Sequence, residues 1–344
     1  SFSRRNFLRL SGLTASTTLL AGCNSRLTPL TANSDKLNVL LILVDDLRPE
    51  LGCYGASHIH SPNIDALAAS GTRFNRAYTQ VAVCAPSRIA LMSGLRPDTT
   101  QCHDLPDRMR DGVPDTITMP QCFREHGYIS EEFGKTYHLG HGNTDDPLSW
   151  SIRHKAEPKP WYADPDNLAD HQARIAQGLN TQQAIARGIH RFSYPYEKLD
   201  VRDDAYSDGV NTDQAMARLS NYGASQDPFF LTVGYLKPHL PFNAPKRYWD
   251  LYDPDSIVLP HQQDWPAGAP PYAGSNWEEL RIYNGMPLHG QIDDETARKL
   301  IHGYYACISY TDAQIGRLLA ALEANGLAEN TAVVLWGDHG FKLD

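Results

Sequence analysis

The chain has 344 residues, of which 41% are hydrophobic, and it carries 31 basic and 40 acidic residues for a formal net charge of −9. The hydrophobic content is enough for the core of one large domain or two modest ones. The acidic balance excludes a general binder of nucleic acid or other polyanions, so an anionic substrate would have to be held by a few converging basic side chains.

The first 23 residues are predicted to form an export signal. Arg4 and Arg5 precede an apolar run over 10–21, which is shorter than the roughly 20 residues that a membrane span needs. The paired arginines resemble a twin-arginine signal, and the closing Leu-Ala-Gly-Cys resembles a bacterial lipoprotein cleavage box. We therefore expect export to the periplasm or cell envelope, a lipid on Cys23 that binds the membrane, and a polar tether over 24–36.

The uninterrupted apolar run over 37–44 predicts a first strand that is buried on both faces. Asp45 and Asp46 follow this strand directly. Ligand sites in open α/β sheets lie at the carboxyl ends of the strands. Two adjacent carboxylates repel each other unless a cation lies between them, and calcium is the predicted cation because it prefers oxygen ligands.

Two short helices are predicted next, over 61–71 and over 86–93, the second ending at Gly94. Cys84 is then expected just before a helix N-terminus, where free N–H groups favour an anion. Arg88 lies one helical turn further on and can return to the same face.

A weaker strand is predicted over 127–133, followed by Lys135 and His138. A third buried strand is predicted over 228–235, and the proline-rich turn after it contains His239. Basic side chains therefore follow two more strands at the point where each ends.

Two long segments, 139–205 and 252–292, are rich in proline or polar residues and show no convincing periodicity. We expect the first of them to form an irregular rim over the site that includes Trp150 and Trp161. A helix is predicted between the two segments, over 212–222.

The last predicted elements are a long helix over 293–325 and a fourth strand over 331–336, followed by Asp338 and His339. The expected fold class is therefore α/β, with a mostly parallel, doubly wound sheet flanked by helices. In such a sheet the carboxyl ends of the strands meet at one edge. The side chains brought together there would be Asp45, Asp46, Lys135, His138, His239, Asp338 and His339.

The segment Cys84-Ala85-Pro86-Ser87-Arg88 resembles the C-x-P-S-R signature of the type I sulfatases, members of the alkaline-phosphatase-like superfamily. Two further segments, Gly134–His138 and Lys237–Phe242, resemble the iduronate-2-sulfatase branch of that family. The resemblance implies an alkaline-phosphatase-like catalytic domain over 37–344. It also implies that the smaller C-terminal subdomain of such enzymes is missing from this chain.

The resemblance implies the chemistry as well. A maturation enzyme would oxidise Cys84 to formylglycine, whose hydrated form attacks the sulfur of a sulfate ester and later expels sulfate. Arg88, Lys135 and His138 would contact the sulfate, and His239 would protonate the leaving sugar oxygen. The implied calcium ligands are Asp45, Asp46, residue 84, Asp338 and His339. The implied substrate is a 2-O-sulfated uronic acid in a sulfated polysaccharide or oligosaccharide.

Three alternatives stay open at this point. A phosphonate or phosphodiester hydrolase of the same superfamily could use the same residues. Cys84 could act as an ordinary thiolate beside a histidine, although such a site would not need the paired aspartates. A non-catalytic, calcium- and glycan-binding lipoprotein is also compatible with the export signal and the aromatic residues of the rim.

Overall fold

The computed structural model describes residues 36–141, 145–154, 159–260, 267–270 and 278–341. The predicted export signal, and the predicted tether up to residue 35, lie outside the described residues. Among the helices in the described ranges, none combines the length and the apolar character that crossing a membrane requires.

Within the described residues, six strands form two parallel sheets, with four strands in the larger sheet and two in the smaller. The strands are β1 (Asn38–Val44), β2 (Ile129–Gly134), β3 (Tyr196–Leu199), β4 (Phe229–Tyr235), β5 (Phe242–Pro245) and β6 (Thr331–Gly337). The larger sheet has the order β2-β4-β1-β6, and β3 pairs with β5 in the smaller one. All four predicted strands are present in the larger sheet, as the fold class requires.

Eleven α-helices occur in the described ranges. They are α1 (Pro62–Ser70), α2 (Cys84–Ser93), α3 (Pro97–Thr100), α4 (Met109–Gly112), α5 (Met119–Glu125), α6 (Pro165–Ile175), α7 (Thr181–Ala186), α8 (Ser207–Ser225), α9 (Lys246–Trp249), α10 (Glu278–Arg281) and α11 (Asp294–Ala324). Short 3₁₀ helices lie at Gly52–Tyr54, Pro147–Ser149, Asp203–Ala205, Pro254–Ser256 and Ala328–Asn330.

The central strand β1 is buried on both faces, which explains its unbroken apolar sequence. Leu40, Ile42 and Val44 pack into a large core with residues of α8 and α11. The alternate residues Leu41 and Leu43 pack on the opposite face, against side chains that include Met92 of α2. The sheet is therefore covered on both sides, and its carboxyl edge is left as the open end where a site can form.

The segment 139–205 is more regular than the sequence analysis predicted. It contains α6, α7 and β3, and the backbone N–H groups of α6 are capped by the side chain of Asp164. Trp150 is buried rather than part of a rim, because its indole N–H donates to Asp145 and its ring packs under the sheet. Trp161 is 42% exposed, as expected of a rim residue.

The second long segment, 252–292, is described only in part, and its described part contains one 3₁₀ helix and α10. Helix α2 begins at Cys84, two residues earlier than predicted, so Cys84 is the first residue of the helix and does not precede it. Pro86 still falls within the first turn, where a missing N–H is tolerated because it would have no partner. Gly94 ends the helix with a φ of 68°, as its position predicted.

Two glycines let β2 and β4 approach closely at the edge that carries the site. Gly134 pairs in register with Gly234, and Gly134 has a φ of +75°. A Cβ on Gly134 would lie 2.0 Å from the Gly234 carbonyl oxygen, and a Cβ on Gly234 would lie 2.1 Å from the carbonyl oxygen of Lys135. This contact fixes where the chain leaves β2 and therefore where Lys135 is placed.

We expect Gly134→Ala to lower the free energy of unfolding by more than about 2 kcal/mol, from the strained φ and the backbone clash together. Urea denaturation followed by circular dichroism measures this. Gly71→Ala is the matched control, because its Cβ would meet only the Leu67 carbonyl oxygen, at 3.6 Å, and its φ is −138°. Equal stability of the two variants would contradict the role given to the glycine contact.

Candidate active site

The carboxyl ends of β1 and β6 place three buried carboxylates side by side. Asp45 and Asp46 follow β1, and Asp338 follows β6, its neighbour in the sheet; all three are at most 3% exposed. The Asp46 backbone N–H donates to the Asp338 carboxylate at 3.0 Å. Asp46 has a φ of +59°, in the left-handed region. Successive side chains of a strand point to opposite faces of the sheet. The left-handed conformation of Asp46 breaks this alternation, so the carboxylates of Asp45 and Asp46 can lie close together.

Arg88 lies at the centre of this cluster with its side chain fully buried. Its guanidinium donates to Asp338 at 2.8 Å and to Asp45 at 3.0 Å, and it also donates to the carbonyl oxygens of Lys135 and Thr136. Burial alone would lower its pKa, but the two carboxylates outweigh burial and raise it. The family resemblance implied that Arg88 contacts the sulfate, whereas here its guanidinium donates to Asp45, Asp338 and two backbone carbonyl groups.

Lys135 supplies the second positive charge, through an ion pair with Asp45. Burial acts to lower the pKa of Lys135, but the charge of Asp45 outweighs it and raises the pKa, so the amine stays charged. Burial by itself would raise the pKa of Asp45, and Lys135 and Arg88 together lower it well below the usual range. Asp45 is therefore an ionised carboxylate between two cations.

Asp46 lies in a different environment, because its nearest basic group is a histidine. His339 Nε2 lies 3.4 Å from the Asp46 carboxylate. Burial and the adjacent charge of Asp45 raise the pKa of Asp46 well above its usual range. Burial also raises the pKa of Asp338, despite its contact with Arg88. In the described part of the chain, only two permanent cations, Arg88 and Lys135, lie among these three carboxylates. One further positive charge would balance the three carboxylates if all of them were ionised.

Cys84 opens α2 directly against the carboxylates and is 7% exposed. Its Sγ lies 3.1 Å from His339 Nε2. Burial and the charge of Asp45 raise the pKa of the Cys84 thiol, although Lys135 and a hydrogen bond with His239 act against them. A thiol that resists ionisation is a poor nucleophile, which disfavours the thiolate alternative.

The three predicted histidines occupy different surroundings. His339 Nδ1 donates to the Gly340 carbonyl oxygen at 2.7 Å, so its Nε2 is the nitrogen that faces Cys84. His239 Nδ1 donates to the Leu240 carbonyl oxygen at 2.7 Å. Burial lowers the pKa of His239, but Glu279, Asp45 and the hydrogen bond with Cys84 outweigh burial and raise it to about 9. His239 is therefore protonated at neutral pH and can donate a proton.

His138 is placed less directly than predicted. Its Nε2 lies 3.2 Å from His141 Nδ1, and the two rings stack with their centroids 5.4 Å apart. Burial and the charge of Lys135 lower its pKa to about 3. A neutral His138 lies beside Lys135 and is paired with a neighbouring histidine rather than with the carboxylate cluster.

Glu279 and His141 are site residues that the sequence analysis missed. Glu279 Oε1 lies 3.4 Å from His239 Nε2, and it comes from α10 in the segment interpreted as a loop. Neither residue directly follows a strand of the larger sheet, as Asp45, Lys135 and Asp338 do. The sequence feature that could have drawn attention to Glu279 is the acidic pair Glu278–Glu279, which follows Trp277.

Four side chains at this edge of the sheet could hold a cation. One ligand atom from each of Asp45, Asp46, Cys84 and His339 lies within 4.8 Å of the others. Asp338 is not in that set; one of its oxygens accepts from Arg88 and the other from the Asp46 N–H. As encoded, a thiol and an imidazole suit a softer metal than calcium. An oxygen at position 84 in place of sulfur would give the set three oxygen-bearing residues, which fits calcium.

The comparison with known proteins decides the family. The family model described as Sulfatase matches residues 37–344. The chain belongs to the sulfatase family. It is 38% identical to human (Homo sapiens) iduronate 2-sulfatase over 322 residues, which cover 91% of this chain and 56% of that protein. It is 31% identical to a sulfatase of Formosa agariphila, covering 90% of this chain and 60% of that protein.

Among solved structures, a phosphonate monoester hydrolase from Silicibacter pomeroyi matches with a TM-score of 0.63 and 23% identity, covering 89% of this chain and 63% of that one. This likeness confirms the sulfatase-type, alkaline-phosphatase-like fold. The chain spans less than two thirds of the length of the curated relatives named above.

Arg88→Met should lower the free energy of unfolding by about 3–5 kcal/mol, because it leaves Asp45 and Asp338 as buried carboxylates without their shared partner. Urea denaturation in the presence of a calcium chelator measures the change. Arg317→Met is the control, since Arg317 pairs with Asp213 at a half-exposed surface and such pairs contribute at most about 1 kcal/mol. Similar losses in both variants would contradict the central role of Arg88.

Proposed function

We propose that this chain is the catalytic part of an enzyme that hydrolyses sulfate esters, with Cys84 converted to formylglycine as the nucleophile. The observation that carries the proposal is the position of residue 84. Its side-chain atom lies at the start of α2, within 4.8 Å of ligand atoms of Asp45, Asp46 and His339. A buried thiol with a raised pKa serves little purpose there, whereas an oxygen nucleophile would complete an oxygen-rich site.

The proposed roles follow from the contacts. A calcium ion held by Asp45, Asp46, residue 84 and His339 would supply positive charge that favours an ionised nucleophile. Lys135, the charged amine beside Asp45, would neutralise charge on the sulfate oxygens. His239, protonated at neutral pH, would donate its proton to the departing sugar oxygen. Arg88 would hold Asp45 and Asp338 in place.

The proposed substrate is a 2-O-sulfated uronic acid of the iduronate type, in a sulfated polysaccharide or oligosaccharide. Its support is the 38% identity to human iduronate 2-sulfatase across 91% of this chain. The segments Gly134–His138 and Lys237–Phe242 support it as well, because their sequences resemble the iduronate-2-sulfatase branch.

We also propose that the protein is exported to the bacterial periplasm or envelope, and that a lipid on Cys23 holds it at the membrane. The support is the sequence of the first 23 residues alone. A formylglycine-generating or sulfatase-maturating enzyme is the protein partner that the proposed nucleophile requires.

The first test is the chemistry of residue 84. In protein produced with a maturation enzyme, mass spectrometry of the tryptic peptide should show an aldehyde in place of the CH₂–SH group.

Cys84→Ala should lower kcat for a sulfate ester by at least about 1,000-fold and leave the circular dichroism spectrum unchanged. Cys122→Ala, at an exposed cysteine of α5, should keep full activity. Retained activity in Cys84→Ala would refute the proposed nucleophile.

The second test compares substrates. We expect kcat/KM for a 2-O-sulfated uronic acid disaccharide to exceed that for a phosphodiester of similar size by about 100-fold or more. A phosphodiester carries an organic substituent where a sulfate ester has a bare oxygen, and Cys84 is only 7% exposed, which disfavours the bulkier ester. A 6-O-sulfated glucosamine is the matched control for sugar specificity.

A higher rate on the phosphodiester would favour the phosphonate or phosphodiester hydrolase alternative. Calcium binding without turnover of any of these esters, in protein that carries the aldehyde, would favour the non-catalytic glycan-binding alternative.

A further inference from the structure

The turn that carries Asp46 is held from behind by a tyrosine of α11. The Tyr304 hydroxyl donates to the Asp46 carbonyl oxygen at 2.8 Å and accepts from the Arg48 backbone N–H at 3.2 Å. Tyr304 itself is fully buried. One hydroxyl thus joins the peptide groups on either side of Leu47.

This turn needs such support. Asp46 adopts a φ of +59°, which is unfavourable for a residue with a Cβ and persists only where the surroundings enforce it. The Asp46 N–H is held by Asp338 and its carbonyl by Tyr304, so both sides of the residue are fixed. The only part of Asp46 left to face the cluster is its carboxylate.

The position of the Tyr304 hydroxyl is set by the core rather than by the site. Its ring packs edge-on against Phe242, with centroids 5.8 Å apart, and stacks on Phe341 at 6.1 Å. Substitution by phenylalanine would therefore keep the ring in place and remove only the two hydrogen bonds to the turn.

We propose that Tyr304 is a positioning residue for the cation site, whose hydroxyl holds the Asp46 backbone in the left-handed conformation that brings the Asp46 carboxylate beside that of Asp45. The inference rests on the calcium site of the proposed function. It adds that α11, a core helix without a ligand of its own in the site, sets the affinity for the cation.

The chain contains a matched control on the same helix. The Tyr310 hydroxyl donates to the Asp203 carbonyl oxygen at 2.9 Å and accepts from the Gly209 N–H at 2.8 Å, and Tyr310 is also fully buried. Tyr310→Phe removes the same kind of backbone clamp from a turn that holds none of the proposed calcium ligands. It therefore measures the stability cost of losing such a clamp without disturbing the site.

The experiment is calorimetric titration of calcium into the matured wild-type protein, Tyr304→Phe and Tyr310→Phe, with the unfolding temperature of each as a second measurement. We expect Tyr304→Phe to weaken calcium binding by about 10–100-fold, the usual effect of losing a group that orients a metal ligand. Tyr310→Phe should bind calcium as the wild type does, with a comparable fall in unfolding temperature. Unchanged affinity in Tyr304→Phe would overturn the inference.

Hydrogen exchange on the wild-type protein gives a test that does not depend on a variant. Calcium should slow exchange of the Arg48 amide at least tenfold, because cation binding and the Tyr304 clamp stabilise the same turn. An unchanged exchange rate with calcium bound would overturn the inference and leave the calcium site itself standing. A wild-type protein that binds no calcium would instead refute the cation site of the proposed function.

Discussion

The site depends on the balance of charge around Arg88. Three carboxylates at the carboxyl ends of β1 and β6 are removed from water, and such a cluster is strongly unfavourable unless opposite charges lie within contact distance. Arg88 satisfies two of the three carboxylates at once with a planar, permanently charged group. Since it reaches them from α2, the same helix brings Cys84 to the cluster. The position of residue 84, the proposed nucleophile, is thus tied to the neutralisation of the carboxylates.

Parallel pairing supplies the other half of the arrangement. In the register of the larger sheet Val44 lies opposite both Tyr235 and Gly337, so the residues after β1, β4 and β6 emerge at one level. Polar side chains that are far apart in the sequence therefore share one small volume. The proposed cation site and Lys135 keep a fixed separation because both are built at the ends of strands of one sheet.

The sequence predicted the four strands of the main sheet and the long helix because their apolar patterns are unbroken. It also predicted that Asp45, Asp46 and Asp338 follow strands at the carboxyl edge of the sheet, since that follows from topology alone. It did not predict that His138 pairs with His141. It failed over 139–205, where α7 and β3 are too short to show a period, and it missed α6 although Asp164 and Pro165 mark the start of that helix. It did not predict the partners of Arg88, which depend on the depth to which its side chain is buried. Glu279 was missed because its helix, α10, has only four residues and lies in a segment whose sequence shows no periodicity.

Helix α11 contacts the rest of the molecule at several levels of its length. Tyr304 contacts the turn after β1, and Tyr310 contacts Asp203 and the first turn of α8. Thr311 donates to the Lys237 carbonyl oxygen, and Asp312 caps α1 by accepting from the backbone N–H groups of Asn63 and Ile64. One inserted residue would turn everything beyond it by about 100° and shift it by about 1.5 Å. The spacing along this helix is consequently fixed, because a change in its length would break several of these contacts at once.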